Sequence, residues 1–406
     1  MKCRYCGKKE IYEFIDLGQQ PLANDYLTAA NLNKGQYHLP LKVGFCETCG
    51  LVQVIDYELP DNIFNENYKY FSSYSSSWLK HCQDYVDMIV KRLHLDSDAT
   101  VLEIASNDGY LLQYFNKYHI PVWGIEPSES VAEIAIQKGI RTEIAFFTEE
   151  YAKKNIKVKP DLIIGNNVLA HVPDIGGFIR GLKLALADNG TITMEFPSVW
   201  ELIKHKYFDT IYHEHFSYLS FNFVCHAFRE CGLEIYDVEL LPTHGGSLRI
   251  YAKHVENQLL DVHNSVGELL AAETSAGISD TNLYKDFGRL VRQTKFEIAS
   301  KLLELKSAGK SIVGYGAAAK GNTLFNFVGI DKDFLDFVVD KNPHKQNLYL
   351  PGSEIPIYGI EEIKKAKPEY ILIIPWNLKK EIENELAFVR TWGGKFMVLL
   401  PEVAVW

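Results

Sequence analysis

Missing from this 406-residue chain is any uninterrupted apolar run near the roughly 20 residues needed to cross a bilayer, so no membrane-spanning helix is expected. Excess positive charge is missing too: 42 Lys and Arg stand against 52 Asp and Glu, for a formal net charge of -10. That balance argues against wholesale binding to nucleic acid or an anionic membrane, and leaves room for a local basic pocket that takes a phosphorylated small molecule. Low-complexity repeats are absent, and 47% hydrophobic with 23% charged residues excludes global disorder. Cysteines number only seven. With no secretory leader expected ahead of Cys3, disulfides are disfavoured and a reducing, cytoplasmic setting is expected. What remains is a globular chain too long for one hydrophobic core, and so divided into two or three domains.

Four of the cysteines form two matched pairs, Cys3-x-x-Cys6 and Cys46-x-x-Cys49, with 39 residues between them. Glycine follows each pair, at Gly7 and Gly50, as a tight knuckle requires. The spacing predicts a Cys₄ zinc site, and four thiolates fill a tetrahedral ion, so the metal is structural. Cys82, Cys225 and Cys231 have no such pairing and read as small, half-buried hydrophobes. An aromatic, serine-rich stretch from Tyr68 to Trp78 follows and reads either as a lid over a ligand or as a polar connector. An amphipathic helix is expected at about 79–94.

From Thr100 the pattern becomes α/β. Thr100–Ile104 is a buried-strand sequence, Ala105-Ser106-Asn107-Asp108-Gly109 a turn, and Tyr110–Phe115 the start of a helix. A second strand, Pro121–Ile125, leads to Glu126, where an acidic side chain can accept hydrogen bonds from a ribose. Asp161–Val168 and Thr191–Pro197 continue the alternation. The first turn holds only Gly109 where a dinucleotide fingerprint has three glycines, which favours a ligand without a pyrophosphate. S-adenosylmethionine is such a ligand, and oxygens around Glu103 and Asp108 can meet its positive groups. The residues assigned to it are Glu103, Ser106, Asn107, Asp108, Gly109, Glu126 and Asn166.

Tyr212-His213-Glu214-His215 packs a phenol, a carboxylate and two imidazoles into four positions, a set suited to proton transfer and oxyanion stabilisation. It lacks the spacing of a helical zinc site. In a regular strand Tyr212 and Glu214 would share one face and the histidines the other, so a run serving one substrate should be irregular. Further on, Thr243-His244-Gly245-Gly246-Ser247-Leu248-Arg249 is a tight loop feeding a strand. A helical, charged segment at roughly 257–309 would turn Leu269, Leu270, Phe287, Leu290 and Phe296 inward. Gly314-Tyr315-Gly316-Ala317-Ala318-Ala319-Lys320 then opens a second strand-turn-helix, with Asp340 after a strand at Phe334–Val339. Locally this permits NAD binding; alternatively it is a degenerate Rossmann-like fold whose Lys320, at the helix opening, meets a diphosphate.

The two CxxC pairs, E-x-A-S-N-D-G-Y-L-L, N-N-V-L-A-H-V-P-D, E-F-P, Y-H-E-H-F-S-Y, T-H-G-G-S-L-R and G-Y-G-A-A-A-K-G-N-T occur in one order that resembles the bacterial nucleotide-sugar C-methyltransferases over nearly the whole chain. The resemblance implies methyl transfer from S-adenosylmethionine to a ring carbon of a 4-keto deoxysugar on a nucleoside diphosphate, commonly thymidine diphosphate. It implies His215 as the base, with Tyr212 and Glu214 supporting the ketone or enolate. Asn167 and His171 become substrate-side candidates, Tyr74 a further one among the aromatics of the lid, and His244, Arg249, Gly316 and Lys320 substrate-binding candidates.

The expected fold class is α/β: a zinc module at 1–62, a class I methyltransferase domain at 63–256, a helical connector at 257–309 and a Rossmann-like substrate domain at 310–406. An O- or N-methyltransferase, using His215 to deprotonate a hydroxyl or amine, is the alternative enzyme; a non-catalytic sugar-nucleotide-binding protein is the alternative outside catalysis. No motif fixes an oligomeric state.

Overall fold

A computed structural model of the chain describes residues 2–55 and 72–406. Strands β1 (Ile11–Pro21), β2 (His38–Cys46) and β3 (Val52–Val54) form an antiparallel meander next to the CxxC knuckles. Strands β4 (Val101–Ile104), β5 (Val122–Glu126), β6 (Thr142–Ile144), β7 (Leu162–Asn166) and β8 (Thr191–Pro197) follow, and all are mutually parallel. The short β9 (Ser217–Tyr218) leaves this region to pair with β3, extending the meander to the order β1-β2-β3-β9. Strands β10 (Leu233–Leu241) and β11 (Ser247–His254) return antiparallel, giving the order β10-β11-β8-β7-β4-β5-β6.

That order is the one expected of a class I methyltransferase domain. Its strands are buried on both faces, as the apolar runs require: all four residues of β4 and all five of β7 are inaccessible. Between β4 and β7 the strand order reverses direction, and a crevice opens at their carboxyl ends. The helix Ser76–Arg92 covers one side. It starts earlier than expected because Ser75 caps it, its hydroxyl accepting from the Trp78 amide at 3.2 Å. Cys82, Tyr85, Val86, Ile89 and Val90 fill its inner stripe, so Cys82 is fully rather than half buried.

Strands β12 (Ile312–Tyr315), β13 (Val338–Val339), β14 (Ile357–Tyr358), β15 (Tyr370–Ile373), β16 (Lys395–Val398) and β17 (Ala404–Val405) build the third sheet, in the order β14-β13-β12-β15-β16-β17. All but β17 run parallel, the second Rossmann-like unit. The strand expected from Phe334 is shorter, because the amides of Phe334 and Leu335 turn back onto the Asp331 carbonyl. Two helices, Asn264–Ser275 and Thr281–Ser307, connect the last two sheets. The longer one packs on the amino-terminal meander, with Tyr284 stacked on Phe45 at 4.2 Å. Phe296, expected inward, is 69% exposed. The buried stripe of that helix runs through Phe287, Val291, Thr294, Ile298 and Leu302, and Phe296 lies two residues, about 200°, from Ile298. Among the described residues no helix is long and apolar enough to cross a membrane.

Candidate active site

A cavity of about 860 Å³ lies at the carboxyl ends of β4, β5 and β7 and is walled on its far side by the loops of the third sheet. The run from Tyr212 reaches it as a turn. The His215 amide donates to the Tyr212 carbonyl at 3.0 Å, so the alternation of a strand is broken. Tyr212, Glu214 and His215 all line the cavity, whereas His213 is buried on the other side, near the Pro40 carbonyl. The irregularity that one substrate demands is therefore present.

Each group in that turn has a definite hydrogen-bonding state. His215 Nδ1 is 2.9 Å from the Thr210 carbonyl, which can only accept, so the proton sits on Nδ1 and Nε2 carries the lone pair. Burial, reinforced by neighbouring His171, pushes the His215 pKa well below the usual imidazole range. His171 likewise donates from Nδ1 to the Glu214 carbonyl at 2.6 Å, and burial brings its pKa down to about 4. Glu214 Oε1 accepts from Asn24 Nδ2 at 2.9 Å, while Oε2 is buried with no partner among the described residues. Burial raises the pKa of its carboxyl. A neutral imidazole with an available lone pair thus stands beside a phenol and a carboxyl disposed to hold its proton.

Asn167 and His244 meet at the cavity edge, Asn167 Nδ2 lying 3.3 Å from His244 Nε2, and both adopt positive φ, at 55° and 53°. Asn167 keeps this strained backbone as its amide donates to the Glu195 carbonyl at 2.7 Å. Glu195, at the end of β8, is wholly buried and accepts from His81 Nε2 at 2.9 Å, Arg249 Nη2 at 2.8 Å and Thr243 Oγ1 at 2.9 Å. Burial alone would raise its pKa; those partners outweigh it and lower it. Arg249 therefore does not reach the cavity, contrary to expectation. It is spent on Glu195 and Glu239, and through them it holds the His244 loop and His81. His81 does line the cavity, stacked on Trp78 at 5.0 Å.

On the β4–β5 side, Asn107, Glu126 and Asn166 line the cavity. Glu126 accepts the amides of Asn107 at 3.0 Å and Ser128 at 2.9 Å, and burial pushes its carboxyl up to about 7 against their pull. Glu103, Ser106 and Asp108 are buried beneath this rim and do not line the cavity, although Ser106 Oγ and Asp108 Oδ1 have no partner among the described residues. Gly109 holds a left-handed φ of 75°, and a Cβ there would meet the end of the Ile140 side chain at 2.3 Å. The donor set fits S-adenosylmethionine, with one carboxylate for a ribose diol and the side-chain amides of Asn107 and Asn166 nearby.

The far wall is basic. Lys320, at the start of the helix Ala319–Val328, lies over the Trp376 ring at 4.4 Å and donates to Asn377 Oδ1 at 2.8 Å. Lys345 also lines the cavity, donating to the Ala317 carbonyl at 2.7 Å. Gly316 lies behind the wall, where a Cβ would meet Pro375 Cδ at 2.6 Å. Asp340 is turned onto the loop itself, accepting from the Ala317 amide at 2.7 Å and the Asn342 amide at 2.7 Å. Tyr68, Tyr70 and Phe71 of the expected lid lie outside the described residues, as does the side chain of Tyr74.

The sulfur atoms of Cys3, Cys6, Cys46 and Cys49 all lie within 4.8 Å of one another. Cys3–Cys49 and Cys6–Cys46 are 3.6 Å apart, too long for disulfides at about 2.05 Å and close to the edge of a tetrahedron built on Zn–S bonds of about 2.3 Å. The four thiols fit zinc.

Reasoning from sequence missed His81, Asn24, Lys345 and Asn377 in the site. His81 reads as part of a helix and Asn24 as part of the zinc module, and nothing local marks Lys345 or Asn377 as facing a cavity built by another domain.

Comparison with known proteins gives three family matches. A C-methyltransferase C-terminal domain covers residues 242–401, a zinc binding domain residues 3–64 and a methyltransferase domain residues 78–238. C-methyltransferase NovU of Streptomyces niveus is 34% identical over 409 residues, spanning 100% of this chain and 96% of its own length. Among solved structures, an S-adenosylmethionine-dependent methyltransferase from Clostridium acetobutylicum is 12% identical, covering 43% of this chain and 92% of its own with a TM-score of 0.36. The magnesium protoporphyrin IX methyltransferase of Synechocystis with bound S-adenosylhomocysteine is 16% identical, covering 43% and 82% with a TM-score of 0.36.

Proposed function

This chain belongs to the C-methyltransferase family, and from that premise we propose that its acceptor is a 4-keto deoxysugar carried on a nucleoside diphosphate, methylated at carbon through an enolate. S-adenosylmethionine supplies the electrophilic methyl group, and zinc is structural. One observation carries the reading of the acceptor: a turn bearing a neutral imidazole, a phenol and a carboxyl faces, across one cavity, a wall bearing Lys320 and Lys345.

A ring C–H is acidic only beside a ketone, so a base and an oxyanion donor must act on neighbouring atoms. In this proposal His215 Nε2 takes the proton, and Nδ1, already bonded to the Thr210 carbonyl, shares the charge that develops. Tyr212 and Glu214 hydrogen-bond the oxygen that becomes the enolate. The raised pKa of Glu214 favours the protonated carboxyl, which is the form that can donate. Lys320, Lys345 and the amino terminus of the helix Ala319–Val328 hold the diphosphate. On this reading 310–406 is the substrate domain, and the reducing cytoplasm is the compartment in which four zinc thiolates persist.

The test is incubation with methyl-labelled S-adenosylmethionine and a panel of 4-keto nucleotide sugars, with the product bond located by NMR. Label on a ring carbon adjacent to the ketone is the expected result. Label on oxygen or nitrogen would replace this reading with that of an O- or N-methyltransferase, and binding without turnover of any panel member would favour a non-catalytic protein.

A further inference from the structure

Three consecutive residues ahead of the catalytic turn bond alternately to the third sheet's domain and to His215. Asp209, 1% exposed, accepts from the Trp376 indole N–H at 2.7 Å through Oδ2. The Thr210 carbonyl accepts from His215 Nδ1 at 2.9 Å. The Ile211 carbonyl accepts from Thr323 Oγ1 at 2.8 Å, in the helix that begins at Ala319 and carries Lys320. Trp376 is itself fixed on both faces: Tyr207 stacks on it at 3.8 Å, and the Lys320 ammonium lies 4.4 Å from its ring. A Cβ at Gly245, in the His244 loop, would come within 2.5 Å of the same indole.

We propose that Asp209 is a positioning residue: through the Trp376 indole it ties the placement of His215 to the wall that carries Lys320. A buried carboxylate bonded across a domain boundary resists displacement, because losing the indole N–H leaves it with only the nearby Lys320 charge and the Asp209 and Thr210 amides to offset its burial. The base therefore stands in register with the group that grips the far end of the substrate. This rests on the reading of His215 as the base and of the acceptor as a nucleotide-linked ketone.

Trp376→Phe, Asp209→Asn and Asp209→Ala separate the roles. Phenylalanine keeps a ring under Lys320 and against Tyr207 and deletes the donor together with part of the indole's bulk, so Asp209→Ala, which removes the acceptor and leaves the indole whole, is its control. Solvent-deuterium exchange into the keto sugar should fall about tenfold in kcat, with KM and the calorimetric Kd for thymidine diphosphate within about twofold of wild type. Asp209→Ala should match it, whereas Asp209→Asn, which keeps an acceptor oxygen, should stay within about threefold of wild type. Folded Trp376→Phe exchanging at the wild-type rate, or Asp209→Asn falling as far as Asp209→Ala, would overturn the proposal. Absence of exchange in wild-type enzyme would overturn the acceptor reading instead. The latch would then be decided by the His215 imidazole NMR signals, which should move in Trp376→Phe and not in Asp209→Asn, and would be unmoved in both if the latch were wrong.

Discussion

The ring of His171 stands edge-on to the ring of His215, with centroids 4.7 Å apart. Burial lowers the pKa of both rings, and a proton on His171 lowers that of His215 further. An unperturbed histidine base would show activity falling through a pKa near 6.5; here the acid limb of kcat/KM should lie well below that. His171→Asn removes the neighbouring charge and should move the limb upward. A pH profile of His171→Asn superimposable on that of wild type would show that the pair is not coupled.

The same burial has a consequence for stability. In the unfolded chain these imidazoles take up protons as the pH falls through about 6.5. In the fold His171 and His244 do so only at about 4. Between those values the unfolded state binds more protons at these two sites, so the stability they contribute is complete above the upper value and declines as the pH falls through the window. The buried carboxyl of Glu126, pushed up to about 7, acts in the opposite sense, so the histidine contribution is read as a difference: from pH 7.5 to 4.5 the melting temperature of His171→Asn should gain on that of wild type.

Glu126→Ala should weaken S-adenosylhomocysteine binding by about 1.5–3 kcal/mol, the worth of hydrogen bonds to a charged group. The carboxylate also ties the Asn107 and Ser128 amides, so Glu126→Gln, which keeps one acceptor oxygen, should lose less. Calorimetry on the two variants makes the comparison. Wild-type affinity in both would place the ribose elsewhere.

Much of this arrangement is legible in the sequence. CxxC spacing, the buried strands at Val101–Ile104 and Leu162–Asn166 and the acidic end of β5 each have a local cause, so zinc, sheet and cofactor edge follow from short stretches. Groups held by partners distant in the chain were not legible. Arg249 is a substrate-binding candidate until Glu195 and Glu239 are seen to hold it, and Ser106 and Asp108 read as ligand contacts until the rim of Asn107 and Glu126 is seen above them. Phe296 was misassigned for a different reason: a long helix between two packed units keeps one buried stripe, and its phase cannot be set from apolar content alone.

The zinc knuckle reaches the turn that carries His215 by a short path. Arg4, between two ligands, donates to the Val54 carbonyl at 2.6 Å and to the Phe216 carbonyl, and the Val54 amide donates to Phe216 at 3.0 Å. Metal analysis should find one zinc per chain. Stripping it should speed hydrogen exchange at the Val54 amide and lower activity together, because Phe216 follows His215 directly. A metal-free, folded protein with wild-type protection at Val54 would refute this link.

Solvent-deuterium incorporation isolates the proton transfer assigned to His215. With S-adenosylhomocysteine in place of the donor, wild-type enzyme should wash deuterium into the carbon adjacent to the ketone of a 4-keto nucleotide sugar, since enolisation needs no methyl group. His215→Asn should lose that exchange, by about a hundredfold or more for removal of a general base, and should bind S-adenosylhomocysteine as wild type does. Undiminished exchange in His215→Asn would contradict its assignment as the base.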